Sequence, residues 1–299
     1  MIFRGKYAII QERKMITVDE NRNSNISSEH SEELLNIIEN FRLMDDTFMS
    51  KVFEDKACAE LLLRVILNRD DLTVVRVVSQ FELKNLQGRS ARLDIYAIDE
   101  HGKQYDVEVQ RSDDGAAPRR ARYNSSLLDA NLLNPGDKFD ELPESYIIFI
   151  TEHDVLKGGK PLYTVNRTIS ELDHAIFADG SHIIYVNGEI RNGTALGELM
   201  QDFFCKDPRE MHYKVLSDRA GYFKKDKEGV DTMCKLMEDY ADKRARQAAE
   251  AAAEKAAKER SISIATNLWN KGERDLQQIA DLTDLPLDEV KKLFEGKTA

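Results

Sequence analysis

Two stretches of alternating residues on either side of a short turn signal constrain this chain more than anything else in it. Leu93, Ile95 and Ala97 alternate with Asp94, Tyr96 and Ile98; Tyr105, Val107 and Val109 alternate with Asp106, Glu108 and Gln110. A period of two marks strands whose faces meet different surroundings. Between them lies Asp99-Glu100-His101-Gly102-Lys103, whose glycine fits the left-handed position of a short loop. The pattern predicts an antiparallel hairpin, and loop length then decides which side chains meet. If Glu100-His101-Gly102 is the loop and Asp99 faces Lys103, antiparallel counting puts Asp94 directly opposite Glu108. A two-residue His101-Gly102 loop would slip the register by one and turn Asp94 to the other face.

The flanking segments predict what packs on this hairpin. Leu34, Leu35, Ile38 and Phe41 have helical spacing, as do Phe48, Val52, Phe53, Leu61, Leu62, Val65 and Ile66 after Asp46. Val74 to Val78 is β-branched and reads as a strand. A helix is expected from about Ala117 to Leu133, stopped by Asn134-Pro135-Gly136. Tyr146 to Thr151 is an apolar run typical of a strand covered on both faces, and Ile183 to Val186 is a further strand. This order predicts an α/β layer, with helices on a mixed sheet.

Composition divides the chain further. Residues 1–30, crowded with asparagine and serine, read as a loosely ordered leader, and 31–229 as the folded domain. Residues 230–260 are rich in Ala, Glu, Lys and Arg and predict a long charged helix; 261–299 predict a small helix-turn-helix-like segment of three short helices punctuated by Gly272 and Pro286. Residues 271–299 hold five basic and seven acidic groups, a poor surface for phosphate, so these helices read first as packing or homo-oligomer elements and only second as a DNA contact.

Whole classes of function drop out. With 54 acidic against 43 basic side chains the net charge is −11, which excludes a protein that coats nucleic acid by bulk charge. No apolar run approaches the roughly 20 residues of a membrane span. The 3 cysteines lie far apart without a C-x-x-C, so a reducing cytoplasm is the expected compartment. The histidines form no zinc-hydrolase pairing. Gly158-Gly159-Lys160 lacks P-loop spacing, and no G-x-S-x-G is present.

What remains is the carboxylate pair. Side chains directly opposed on a hairpin have Cβ atoms about 4.5–5.5 Å apart. Two acids that close repel unless a proton or cation lies between them, and a hard divalent ion such as Mg²⁺ is the economical solution. The Val109 carbonyl adds an oxygen ligand, and the Gln110 amide could orient a water. Arg111, Arg119, Arg120 and Arg122 crowd the start of the next helix, where cations oppose the macrodipole; they suit phosphate clamps better than helix stability. Tyr123, one turn on, could hydrogen-bond or stack on the same strand. The plain alternative is a hairpin with a polar outer face beside solvated arginines.

These residues, with the blocks Leu43 to Phe48, Ala91 to Asp94, Gly102 to Gln110, Arg120 to Tyr123, Leu128 to Leu133, Pro143 to Thr151 and Tyr163 to Val165, resemble the PD-(D/E)XK nuclease superfamily. Within it they are similar to the Rpn-like recombination-promoting nucleases, or PD-(D/E)XK family transposases, over roughly residues 40–225. The resemblance implies a restriction-endonuclease-like fold and a metal-dependent endonuclease acting on DNA, linked to recombination or mobile elements. It implies Asp94 and Glu108 as metal ligands, Asp46 as an acid completing the metal shell, and Mg²⁺, or Mn²⁺, as the cofactor. Gln110 takes the place of the superfamily lysine and Leu93 that of the motif proline. Arg111, Arg119, Arg122 and Tyr123 would hold the DNA backbone. Gln110 removes a positive charge, which implies slow or nicking-type cleavage and keeps open a catalytically weak or inactive DNA- or protein-binding module of the same fold.

Overall fold

The computed structural model describes residues 32–85 and 88–295, and the expected leader over 1–30 lies outside them. The chain divides into two compact units, Met1–Cys234 and Lys235–Ala299. The first opens with helices α1 (32–40), α2 (Asp46–Val52) and α3 (Lys56–Leu67), followed by strands β1 (Val74–Leu83), β2 (Ala91–Asp99) and β3 (Gln104–Gln110). Helix α4 (Pro118–Ala130) leads to β4 (Ser145–Thr151), the edge strand β5 (Leu162–Val165), a small hairpin β6 (Thr168–Ile169) and β7 (Ala175–Ile176), and β8 (Ser181–Asn187). Helices α5 (Ala195–Phe204) and α6 (Lys214–Lys225) follow.

The six-stranded sheet has the order β1-β2-β3-β4-β8-β5. β1, β2 and β3 form an antiparallel meander, β3, β4 and β8 run parallel, and β5 returns antiparallel. This mixed sheet flanked by helices, with a helical C-terminal region, is the expected α/β, restriction-endonuclease-like arrangement. β4 lies near its centre, where Ile147, Ile148, Phe149 and Ile150 are all 0% exposed. Ile147 and Phe149 pack with Tyr96, Leu128 and Tyr185 under α4, while α2 and α3 contact β1. The strand expected over Val74 to Val78 continues to Leu83, although Gln80 within it has φ +53°.

The hairpin loop has three residues. Asp99 N–H donates to the Lys103 carbonyl (3.2 Å), and Ile95, Tyr96, Ala97 and Ile98 face Val107, Asp106, Tyr105 and Gln104. Gly102 takes φ +79°, which costs a glycine nothing. The loop is closed by its own side chain: Asp99 Oδ1 accepts the N–H groups of His101 and Lys103 (both 2.9 Å), and Oδ2 accepts the Tyr105 hydroxyl (2.8 Å). One step beyond the paired residues, the same count sets Asp94 opposite Glu108.

Helix α7 (Lys227–Asn270) starts in the first unit and ends in the second, where it is followed by α8 (Leu276–Thr283) and α9 (Leu287–Phe294). Nothing between residues 231 and 270 can stop it, since that stretch has no glycine or proline. Ile262, Ala265, Leu268 and Trp269 are therefore its last turns, not the first of three short helices. Ala265, Trp269, Ile279, Val290 and Phe294 form the second unit's core, with Trp269 and Phe294 stacked at 4.4 Å. From 241 to 260 every residue of α7 is exposed.

Candidate active site

At the open end of the hairpin, Asp94, Glu108 and Asp106 share the face that α4 covers. Asp94 Oδ2 accepts the backbone N–H of Val109 (3.0 Å), which holds its carboxylate across β3. Glu108 is 0% exposed. Its Oε2 receives the Arg120 guanidinium and the Gln110 amide (3.2 Å), and its Oε1 receives Asn124 Nδ2 (3.3 Å). Arg120 also donates to Gln110 Oε1 (3.1 Å) and the Gly115 carbonyl (2.9 Å), and its guanidinium lies over the Phe149 ring. Deeper still, Asp106 takes an N–H from Asn124 (3.3 Å) on Oδ2, while its Oδ1 has no partner among the described residues.

Too few donors serve too many acids here. Burial pushes Asp94 up to about 6, and the negative charge of Asp46 adds to it. Burial pushes Glu108 up to about 8, with Asp94 next in effect and Arg120 opposing. Asp106 is raised well above the carboxylate range by burial and then by Glu108 and Asp94. Burial and mutual charge oppose ionisation of the group, and a cation would relieve both. A buried carboxylate, Glu108, and a half-buried one, Asp94, both hard oxygen donors, fit Mg²⁺, which one or two carboxylates plus substrate oxygens hold. Among the described residues no three His, Cys, Asp or Glu side chains converge as a ready-made cage.

A cavity of about 1240 Å³ opens over this end, lined by Asp46, Arg89, Arg92, Asp94, Arg119 and Arg120 among others. Of the residues expected from sequence, Asp94, Glu108, Gln110 and the Val109 backbone converge. Asp46 is exposed at the start of α2 and its Oδ1 accepts Gln80 Nε2 (3.0 Å); its charge still reaches both acids. Arg119 lines the cavity. Arg111 also lines the cavity, with its guanidinium bound to Asp45 (2.9 Å) and Glu152 (3.4 Å). Arg122 is exposed and does not line the cavity. The Tyr123 hydroxyl donates to the Arg89 carbonyl and accepts Asn85 Nδ2 (3.1 Å), so it moors the β1–β2 loop to α4.

Three contributors, Arg92, Arg89 and Gln80, escape sequence reasoning, and a fourth, Arg120, is expected there only as one of several phosphate clamps. Arg120, among neighbouring arginines, is the one turned onto Glu108, on the same helix face as Asn124 four residues on, which meets the same acid. Arg92 shares a strand face with Asp94 by the two-residue rule. Arg89 comes from a loop without pattern. Gln80 depends on a positive φ that no glycine announces.

Residues 48–194 match the family described as PD-(D/E)XK nuclease family transposase. No curated protein and no solved structure matches the chain.

Proposed function

Since residues 48–194, which carry the whole six-stranded sheet, belong to the PD-(D/E)XK nuclease family of transposases, we propose that the chain is a metal-dependent endonuclease hydrolysing DNA phosphodiester bonds, with a role in recombination or mobile elements. The observation that carries the reading is the register of the hairpin. Continued one residue past Ile95 and Val107, it supports a pairing of Asp94, on the wall of an arginine-lined cavity, with the buried Glu108 behind it, and the Val109 N–H holds Asp94.

Asp94, Glu108 and the Val109 carbonyl would hold the ion, Mg²⁺ or Mn²⁺. When bound, it supplies Lewis acidity toward the phosphodiester and the water that attacks it. Gln110, fixed by Arg120 on one side and Glu108 on the other, presents an amide that orients the water. Arg89, Arg92 and Arg119 project into the cavity from two walls and would hold phosphates on either side of the cleaved bond. Tyr123 acts on Arg89 through the loop it moors. A cytoplasmic setting belongs to the same proposal; among the described residues no helix is long and apolar enough to cross a membrane.

A second reading has an observation of its own. Glu108 already has hydrogen bonds from Arg120, Gln110 and Asn124, an arrangement that favours a DNA-binding module of this fold without efficient cleavage. A plasmid-nicking assay with and without Mg²⁺ separates the two. Mg²⁺-dependent nicking by wild type, lost in Asp94→Ala and Glu108→Ala, supports the nuclease. Metal-independent DNA binding without nicking in any variant supports the module.

A further inference from the structure

Arg120 and a divalent ion have claims on the same oxygen. The guanidinium donates to Glu108 Oε2, the oxygen that also takes the Gln110 amide. Arg120 is 37% exposed toward the cavity while Glu108 is 0% exposed, so the side chain links bulk solvent to the buried acid. Among the described residues no other Lys, Arg or His pairs with Glu108, and none pairs with Asp94. Its second amino group is tied to Gln110 (3.1 Å) and the Gly115 carbonyl (2.9 Å), which aim it along β3.

We infer that Arg120 is a built-in competitor for the divalent ion at Glu108 and, at the same time, the positioning cation of the cleavage site. The inference rests on the nuclease reading and adds a division of labour to it. In the hydrolysis a water oxygen bonds to phosphorus and a P–O ester bond breaks. The water gives up a proton to solvent, the leaving oxygen gains one, and negative charge grows on the phosphoryl oxygens in between. A fixed guanidinium at this wall stabilises that charge. The same guanidinium repels a second cation and occupies one of the few oxygens able to bind it. Arg120 therefore weakens metal binding and accelerates cleavage. A salt bridge that merely fastened α4 to β3 would favour both, because it would keep the acids in place.

The test uses the full chain, with calorimetric titration of Mn²⁺ alone and Mg²⁺-dependent plasmid nicking. Arg120→Gln keeps hydrogen-bond donors and removes the charge. It should bind Mn²⁺ about tenfold more tightly and nick about 10²-fold more slowly. Arg120→Lys, which keeps the charge, should stay within about tenfold of wild type in both, and it serves should Arg120→Gln fail to fold. Placing Gln110→Lys in the Arg120→Gln background should reverse both changes, since residue 110 already touches Glu108 Oε2 and Arg120. Unchanged or weaker Mn²⁺ binding by Arg120→Gln, with wild type binding and Asp94→Ala not, overturns the inference and leaves the nuclease reading intact. Absence of Mn²⁺ binding in every variant overturns both.

Discussion

The β2–β3 hairpin buries carboxylates at both ends and treats them in opposite ways. At the loop end the lone pairs of Asp99 are taken by two backbone N–H groups and a tyrosine hydroxyl. At the cavity end Asp94 has one backbone donor, one oxygen of Asp106 has no partner among the described residues, and Glu108, though it has three donors, shares one of them, Asn124, with Asp106 and relies on a single cation. The first arrangement supplies donors to match the acid and so sets the geometry of the chain. The second crowds three acids around few donors, with Asp94 and Asp106 under-partnered, and so keeps them available for chemistry. A satisfied buried acid stabilises a fold, whereas an unsatisfied one stores repulsion that a proton or metal relieves.

Neutralising each end should separate the two roles. Asp94→Asn or Glu108→Gln should lower Mg²⁺-dependent nicking by about 10³-fold, while the melting temperature at pH 8 without metal stays level or rises. Equal destabilisation by Asp94→Asn and by Asp99→Asn would erase the contrast.

Next in size, Asp99→Ala strands two backbone donors and the buried Tyr105 hydroxyl, and should cost about 2 kcal/mol in urea unfolding. A loss under about 0.5 kcal/mol would mean that the strands, not the loop, hold the register.

The acids at the cavity end also make stability depend on pH. Their folded-state values are raised to about 6 for Asp94 and about 8 for Glu108, from ordinary values of 3.8 and 4.5. Between the ordinary and raised values the folded chain binds more protons than the unfolded one, so stability falls as pH rises. The contribution is fully present below about pH 4 and is lost by about pH 8. In metal-free buffer the melting temperature should therefore decline across that window more steeply than in Asp94→Asn/Glu108→Gln, and Mg²⁺ should raise it most at the alkaline end. Identical slopes would show that burial and neighbouring charge do not hold the two acids above their ordinary values.

The smallest effect is expected where the cavity wall is moored. Tyr123→Phe removes the hydroxyl that holds the Arg89 carbonyl and should cost about 1 kcal/mol, with a few-fold rise in KM for DNA and little change in kcat. A drop in kcat alone would move Tyr123 from the loop to the reaction.

The same hairpin shows how much could be read before any coordinates. Strand alternation and Gly102 locate the hairpin and narrow its register to two choices, because these signals are local and the period of a strand is strict; the Asp99 N–H bond to Lys103 selects the one that faces Asp94 toward Glu108. β4 is legible for a different reason: a strand covered on both sides leaves no polar positions. Arg120 is hidden, because which of several adjacent arginines turns inward depends on how α4, entered through Pro118, docks on the sheet. Arg111 is hidden by its partners Asp45 and Glu152, distant in sequence and joined only by the fold. Asp46 reads as an acid near the metal, yet its hydrogen bond from Gln80 depends on a left-handed strand residue with no sequence mark.

The C-terminal core has a practical corollary for all these measurements. The chain has 1 tryptophan, Trp269, stacked on Phe294 with the Arg274 guanidinium 4.4 Å from its ring centre. Indole emission therefore reports the melting of the second unit and is silent about the sheet. An unfolding curve followed by tryptophan fluorescence could look wild-type while the unit that carries the sheet has already come apart, so substitutions around Glu108 need circular dichroism or tyrosine signals to be seen.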